Sequence, residues 1–112
     1  ITGCSLTANR ITLPVGTYIV TFNSCFYSTN GAQTIFYNYT DSTTAIVGLV
    51  GFFAAVFSAT GTIGGTGKIT ITGAKEFEIE YRVQTTSATN GLGIAQNWTT
   101  EVYSEVEIEK IG

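Results

Sequence analysis

Residues 76–83 read Glu76-Phe77-Glu78-Ile79-Glu80-Tyr81-Arg82-Val83. Phe77, Ile79, Tyr81 and Val83 fall on one side of an extended chain, and Glu76, Glu78, Glu80 and Arg82 on the other. The stretch therefore predicts a strand with one dry face and one wet face. Residues 101–111 repeat the pattern, with Val102, Val106 and Ile108 alternating with Glu101, Tyr103, Glu105, Glu107 and Glu109. Set side by side in one sheet, the two acidic rows would repel each other. Charge alone thus assigns these strands to different sheets.

Working outward, the same period of two covers residues 17–27, where Tyr18, Val20, Phe22, Ser24 and Phe26 share a face. At about 3.3 Å per residue this run spans about 36 Å, the height of a sandwich. Pro14 and Gly16 supply its entry turn. Asn30-Gly31 is a turn signal, and residues 33–40 behind it predict a hairpin with that long strand. Further strands are expected at residues 44–47, 52–58, 67–72 and 75–85, separated by Gly61, Gly64-Gly65, Gly73 and Asn90-Gly91. No stretch has helical periodicity. The expectation is one all-β domain over residues 1–112, an antiparallel sandwich or barrel.

The chain has 112 residues, enough to bury a core without staples. Only 12% of them are charged, against about 25% in an ordinary domain, so threonine, serine and asparagine must cover the surface. Such surfaces suit secreted, particle-displayed or oligomeric β-proteins. Eight acids against five bases leave no basic stripe for a phosphate backbone, so no nucleic-acid partner is expected. The absence of histidine removes Ser-His and Cys-His catalysis. Two cysteines, Cys4 and Cys25, serve equally as small buried hydrophobes or as one bridge. The first residue is Ile1, and with no basic leader or cleavage pattern the chain reads as a mature form or a fragment of a longer protein.

Residues 42–67 carry no charge, and residues 45–57 are apolar throughout. A membrane helix needs about 20 such residues, so no membrane insertion is expected. Two readings remain: a pair of core strands, or strands with one face on the core and the other on a neighbouring subunit. A 12 kDa domain exposes about 5,900 Å², and two contacts of about 1,000 Å² each in a closed ring would cover a third of it.

The order of elements resembles the C1q and tumour-necrosis-factor-like jelly roll: a Gly-x-Tyr strand (Gly16, Thr17, Tyr18), a Gly-rich middle strand, a charged amphipathic strand and a final aliphatic strand. Closer local resemblance is to the C-terminal domains of phage tail fibres and spikes. It rests on Leu13-Pro14-Val15-Gly16-Thr17-Tyr18, Tyr37-Asn38-Tyr39-Thr40-Asp41, Gln84-Thr85-Thr86 followed by Asn90-Gly91-Leu92-Gly93, and Glu101-Val102-Tyr103 leading into Val106-Glu107-Ile108-Glu109-Lys110-Ile111. Tyr81 and Glu109 depart from that pattern, which commonly has histidine and an aromatic at these positions. The resemblance implies a homotrimeric jelly-roll knob at a fibre tip on a virion, receptor-binding and contributing to adsorption on a bacterial surface glycan. Its alternatives are a structural trimerisation or capping domain, and an extracellular C1q-like adhesion module.

Carboxylates are the remaining catalytic candidates. All but Asp41 read as solvated strand faces, so no enzyme activity is expected. For carbohydrate binding, residues 90–100 offer Trp98 among Asn97, Gln96, Thr99, Thr100 and Asn90. A lone tryptophan in a β-protein is more often a core or subunit-contact residue than a ligand platform. Tyr27, with Ser28, Thr29 and Asn30, is a second candidate. Asn38-Tyr39-Thr40 and Asn97-Trp98-Thr99 match the glycosylation pattern, but Asn38 before Asp41 is more simply a hydrogen-bonded strand end. The resemblance places the last strand near a threefold axis, where three copies of Glu105, Glu107 and Glu109 must be spread by water, paired with Lys110 or Arg82, or bridged by a hard cation such as calcium. No other cofactor is expected.

Overall fold

The computed structural model describes residues 4–7, 10–27, 29–54, 56, 59–84 and 104–112. Eight strands account for nearly all of them: β1 (Ser5–Thr7), β2 (Arg10–Leu13), β3 (Gly16–Tyr27), β4 (Asn30–Asn38), β5 (Thr43–Phe53), β6 (Thr60–Ile71), β7 (Lys75–Val83) and β8 (Ser104–Lys110). One antiparallel sheet has the order β1-β2-β7-β4-β5 and the other β6-β3-β8. The run 2-7-4-5 facing 8-3-6 is the arrangement of two interlocked Greek keys, a jelly roll. The acidic strands β7 and β8 lie in different sheets, as their charge demands.

Period-two alternation explains the core. In β3, Tyr18, Val20, Phe22, Ser24 and Phe26 are buried while Thr21 is exposed between them. From the facing sheet, Leu13, Phe36 and Phe77 are buried against them. Phe36 stacks between Phe22, at 6.0 Å between ring centres, and Phe77, at 5.1 Å. A second cluster at the other end packs Phe26 on Phe53 at 5.7 Å, with the Tyr81 ring edge-on to Phe26 at 6.0 Å.

The Gly-x-Tyr entry to β3 has a physical reason. Tyr18 is fully buried, and its hydroxyl donates to the Pro14 carbonyl four residues back at 2.7 Å. Burial pushes its ionisation above the ordinary tyrosine range, and the neighbouring Cys4 adds to the shift. A buried phenol needs such a partner, and this one staples the turn to the core. Tyr18→Phe leaves the packing and orphans the carbonyl. It should lower stability by about 1–2 kcal/mol in urea unfolding, whereas an unchanged midpoint would show that the turn holds without the bond.

Three features differ from the sequence reading. Asn30-Gly31 does not close a hairpin with β3: both edges of β3 are taken by β6 and β8, so the chain crosses to the other sheet. Asn30, at φ 54°, makes the turn, and Thr29 beside it is fully buried. The separate strands expected near residues 44–47 and 52–58 begin as one strand, β5, with register shifts that place extra residues on it. Gly61, Gly64 and Gly65 lie inside β6 rather than between strands.

Candidate functional site

β5 is the edge of the larger sheet, and its register against β4 decides what it exposes. Gln33 lies opposite Val50 but Ile35 opposite Val47, so β5 carries one extra residue there. The bulge is stabilised where the Gln33 side-chain amide donates to the Gly48 carbonyl at 3.1 Å. Before it Ile46 and Gly48 face inward, and after it Phe53 does. The outward set becomes Val47, Leu49, Val50 and Phe52, at 68, 71, 73 and 66% exposure. Four large apolar side chains in six residues thus stand in water on one edge.

Beside this strip the two sheets come together. Gly48 of β5 meets Gly64 and Gly65 of β6, where Cβ atoms would meet neighbouring backbone. The resulting hollow of about 450 Å³ has Val47, Leu49 and Ile63 as its apolar wall and Thr21, Asn23, Thr62 and Thr66 as its polar wall. The outer face of the smaller sheet continues the polar wall, with Thr21 bonded to Thr66 at 3.0 Å and Thr17 to Thr70 at 3.2 Å.

The acids form two faces. On β7, Glu76 and Glu78 lie 4.0 and 3.7 Å from Arg10 of β2, whose guanidinium sits 3.4 Å from the centre of the Tyr39 ring. No local pattern in the sequence marks this cluster, because its members meet only through the pairing of β2 with β7. A hydrogen bond that protonated Glu80 donates to Glu78, then burial and the charge of Glu78, push the Glu80 carboxyl above the ordinary range. Lys75, bonded at 3.0 Å, holds Asp41 below it, with Asn38 assisting. The Asn38 amide donates to Asp41 at 2.9 Å and its carbonyl accepts the Asp41 N–H at 3.0 Å, the strand-end role read from the sequence.

These shifts oppose each other with pH. Asp41 favours its charged form in the fold, so its contribution is present above the unfolded value and lost as acid protonates it. Glu80 favours its protonated form, so its contribution is lost as pH rises from about 4.5 through the raised value. Glu80→Gln should therefore raise the melting temperature at pH 7 and give no gain at pH 4. Equal gains at both would remove the proton from the account.

Of the candidate ligand residues, Asn90, Gln96, Asn97, Trp98 and Thr99 lie outside the described residues. Tyr27 ends β3 opposite Thr60, half-buried on the outer face of the smaller sheet. Glu105 and Glu107 are exposed on β8 opposite Asn23 and Thr21, and share a shallow hollow of about 270 Å³ with them. Among the described residues, no three His, Cys, Asp or Glu side chains are grouped to hold a metal ion. Cys4 and Cys25 are both free thiols. The geometry thus defines an all-β jelly-roll sandwich with an apolar edge, a hydroxyl-rich face and two acidic rows. Comparison with protein-family models, curated proteins and solved structures finds no match.

Proposed function

We propose that this chain is a self-assembling jelly-roll tip. Three copies close on one another through the β5 edge, and the assembled head serves attachment to a glycan of a bacterial surface, in the manner of the phage fibre domains its sequence resembles. The observation that carries the reading is the exposed row Val47, Leu49, Val50 and Phe52. An apolar edge strand left in water is a site for unwanted pairing, and a subunit contact covers it. The hollow at Val47 and Leu49 gives a neighbouring copy a recess to fill. Glycan contact is assigned to Trp98, Asn97, Gln96, Thr99 and Asn90, with Tyr27 second.

Light scattering of the pure domain tests the assembly, and competition for phage adsorption together with a glycan array tests the attachment. A trimer that competes and binds supports the whole reading. A mass of one 11.9 kDa copy at micromolar concentration overturns the assembly. A trimer silent in both binding assays is a structural capping module instead.

A further inference from the structure

Among the described residues the two sheets are unequal, with five strands against three. The deficit lies beside β8. β3 pairs with one of its edges over Tyr18 to Ser24, and no strand among the described residues pairs with the other. The Ile111 N–H donates to the Thr17 carbonyl at 2.8 Å. By the alternation of an antiparallel ladder, the odd-numbered residues of β8 direct their backbone groups to β3. Val106, Ile108 and Lys110 therefore direct N–H and C=O groups to the open edge.

An apolar trough lies next to that edge. Val106 and Ile108 form one side and Leu6 and Ile11 the other, with Cys4 and Ser5 closing an opening of about 480 Å³. Leu6 is 73% exposed, a large apolar side chain with little to cover it. On the outer face of β8, Glu105, Glu107 and Glu109 are exposed, and no ion pair among the described residues involves them.

We infer that the β8 edge accepts an extended segment of a partner polypeptide in which apolar residues alternate with lysine or arginine. The partner's backbone completes the ladder at Val106 and Ile108. Its apolar side chains enter the trough over Leu6 and Ile11, and its cationic side chains stand beside Glu105, Glu107 and Glu109. Main-chain bonds supply the affinity and the alternate side chains the selectivity, as in strand addition generally. A second copy of β8 is a poor occupant, since two acidic rows would then lie side by side. The seven residues of β8 accommodate a partner strand of about 23 Å. This inference does not depend on the assembly through β5, which lies at the edge of the other sheet.

The test uses the 112-residue chain and a fluorescein-labelled heptapeptide alternating lysine with valine. Polarisation should show saturable binding with a dissociation constant below about 1 mM. Binding should weaken at least tenfold when the peptide amides on one edge are N-methylated or its lysines become glutamates. The triple variant Glu105→Lys, Glu107→Lys, Glu109→Lys, altered only at exposed positions, should reverse the preference toward the glutamate peptide. Amide exchange should slow at Val106 and Ile108 on saturation and stay unchanged at Glu105 and Glu107. Absence of saturable binding overturns the inference, as does equal binding of the N-methylated peptide. Val106 and Ile108 amides already as protected in the free chain as those of β3 would also overturn it, by showing the edge covered.

Discussion

Leu49→Asp combined with Phe52→Asp should reduce the solution mass from three copies to one 11.9 kDa copy while the circular dichroism of the sandwich is retained. Both side chains point away from the core, at 71 and 66% exposure, so a monomer loses no packing when they change. In the proposed trimer each strip would bury four large apolar side chains, worth about 1.5–3 kcal/mol each. A closed ring of three covers three strips but pays association entropy, roughly 4–15 kcal/mol, only twice. At the middle of both ranges the balance favours the proposed trimer with the strips intact. With two aspartates per strip, six carboxylates would have to be dehydrated in the contact, which reverses it. Sedimentation at micromolar concentration reads the outcome. A variant that remains trimeric would place the contact elsewhere, and one that unfolds would show that these side chains belong to the core after all.

Gly48→Ala is expected to be among the most damaging single-methyl changes at the described residues. The new Cβ would overlap the Thr34 carbonyl and come within 3.2 Å of the Gly64 carbonyl. Both obstacles are backbone, so no side chain can swing aside, and β5 would have to move away from β4, its neighbour in the same sheet, and adjust against β6. The cost should be about 3 kcal/mol or more, a fall in melting temperature of roughly 12 °C or more. Gly73→Ala provides the control, since nothing lies within 4 Å of its added methyl, and should stay within about 0.5 kcal/mol of the native chain. Equal melting of the two variants would refute the close backbone packing at Gly48.

These glycines also mark where sequence reading reached its limit. β3, β7 and β8 are legible because each alternates dry and wet residues, and the charge on β7 and β8 assigns them to different sheets. β6 was only partly legible, because Gly61, Gly64 and Gly65 carry the same local signal whether they break a strand or let another strand approach it. The difference lies in Gly48, 16 residues earlier in the chain. Asn30-Gly31 misled for a related reason: a turn signal reports that the chain changes direction, not which sheet it enters. That was decided by β6 and β8 occupying both sides of β3. The uncharged stretch of residues 42–67 was noticed, but its exposed face follows from a bulge anchored by the Gln33 side chain, which periodicity does not show. The acidic β8 row is read directly, whereas the absence of a second partner for β8 among the described residues appears only once the strands are counted sheet by sheet.

The twelve-residue strand β3 sets the order of events during synthesis. Its residues wait for β6, some 45 positions later, and then for β8, with Tyr18 pairing to Lys110. A nascent chain lacking β8 holds Tyr18, Val20 and Phe22 on a strand with one side unclosed, and topologies of such long range fold slowly, in milliseconds to seconds. The larger sheet can form β4, β5 and β7 in the meantime, which exposes the apolar β5 edge before the sandwich is shut. Neighbouring chains emerging together would thus meet through that edge while each is still folding, so closure of the sandwich and choice of partner become competing steps in time.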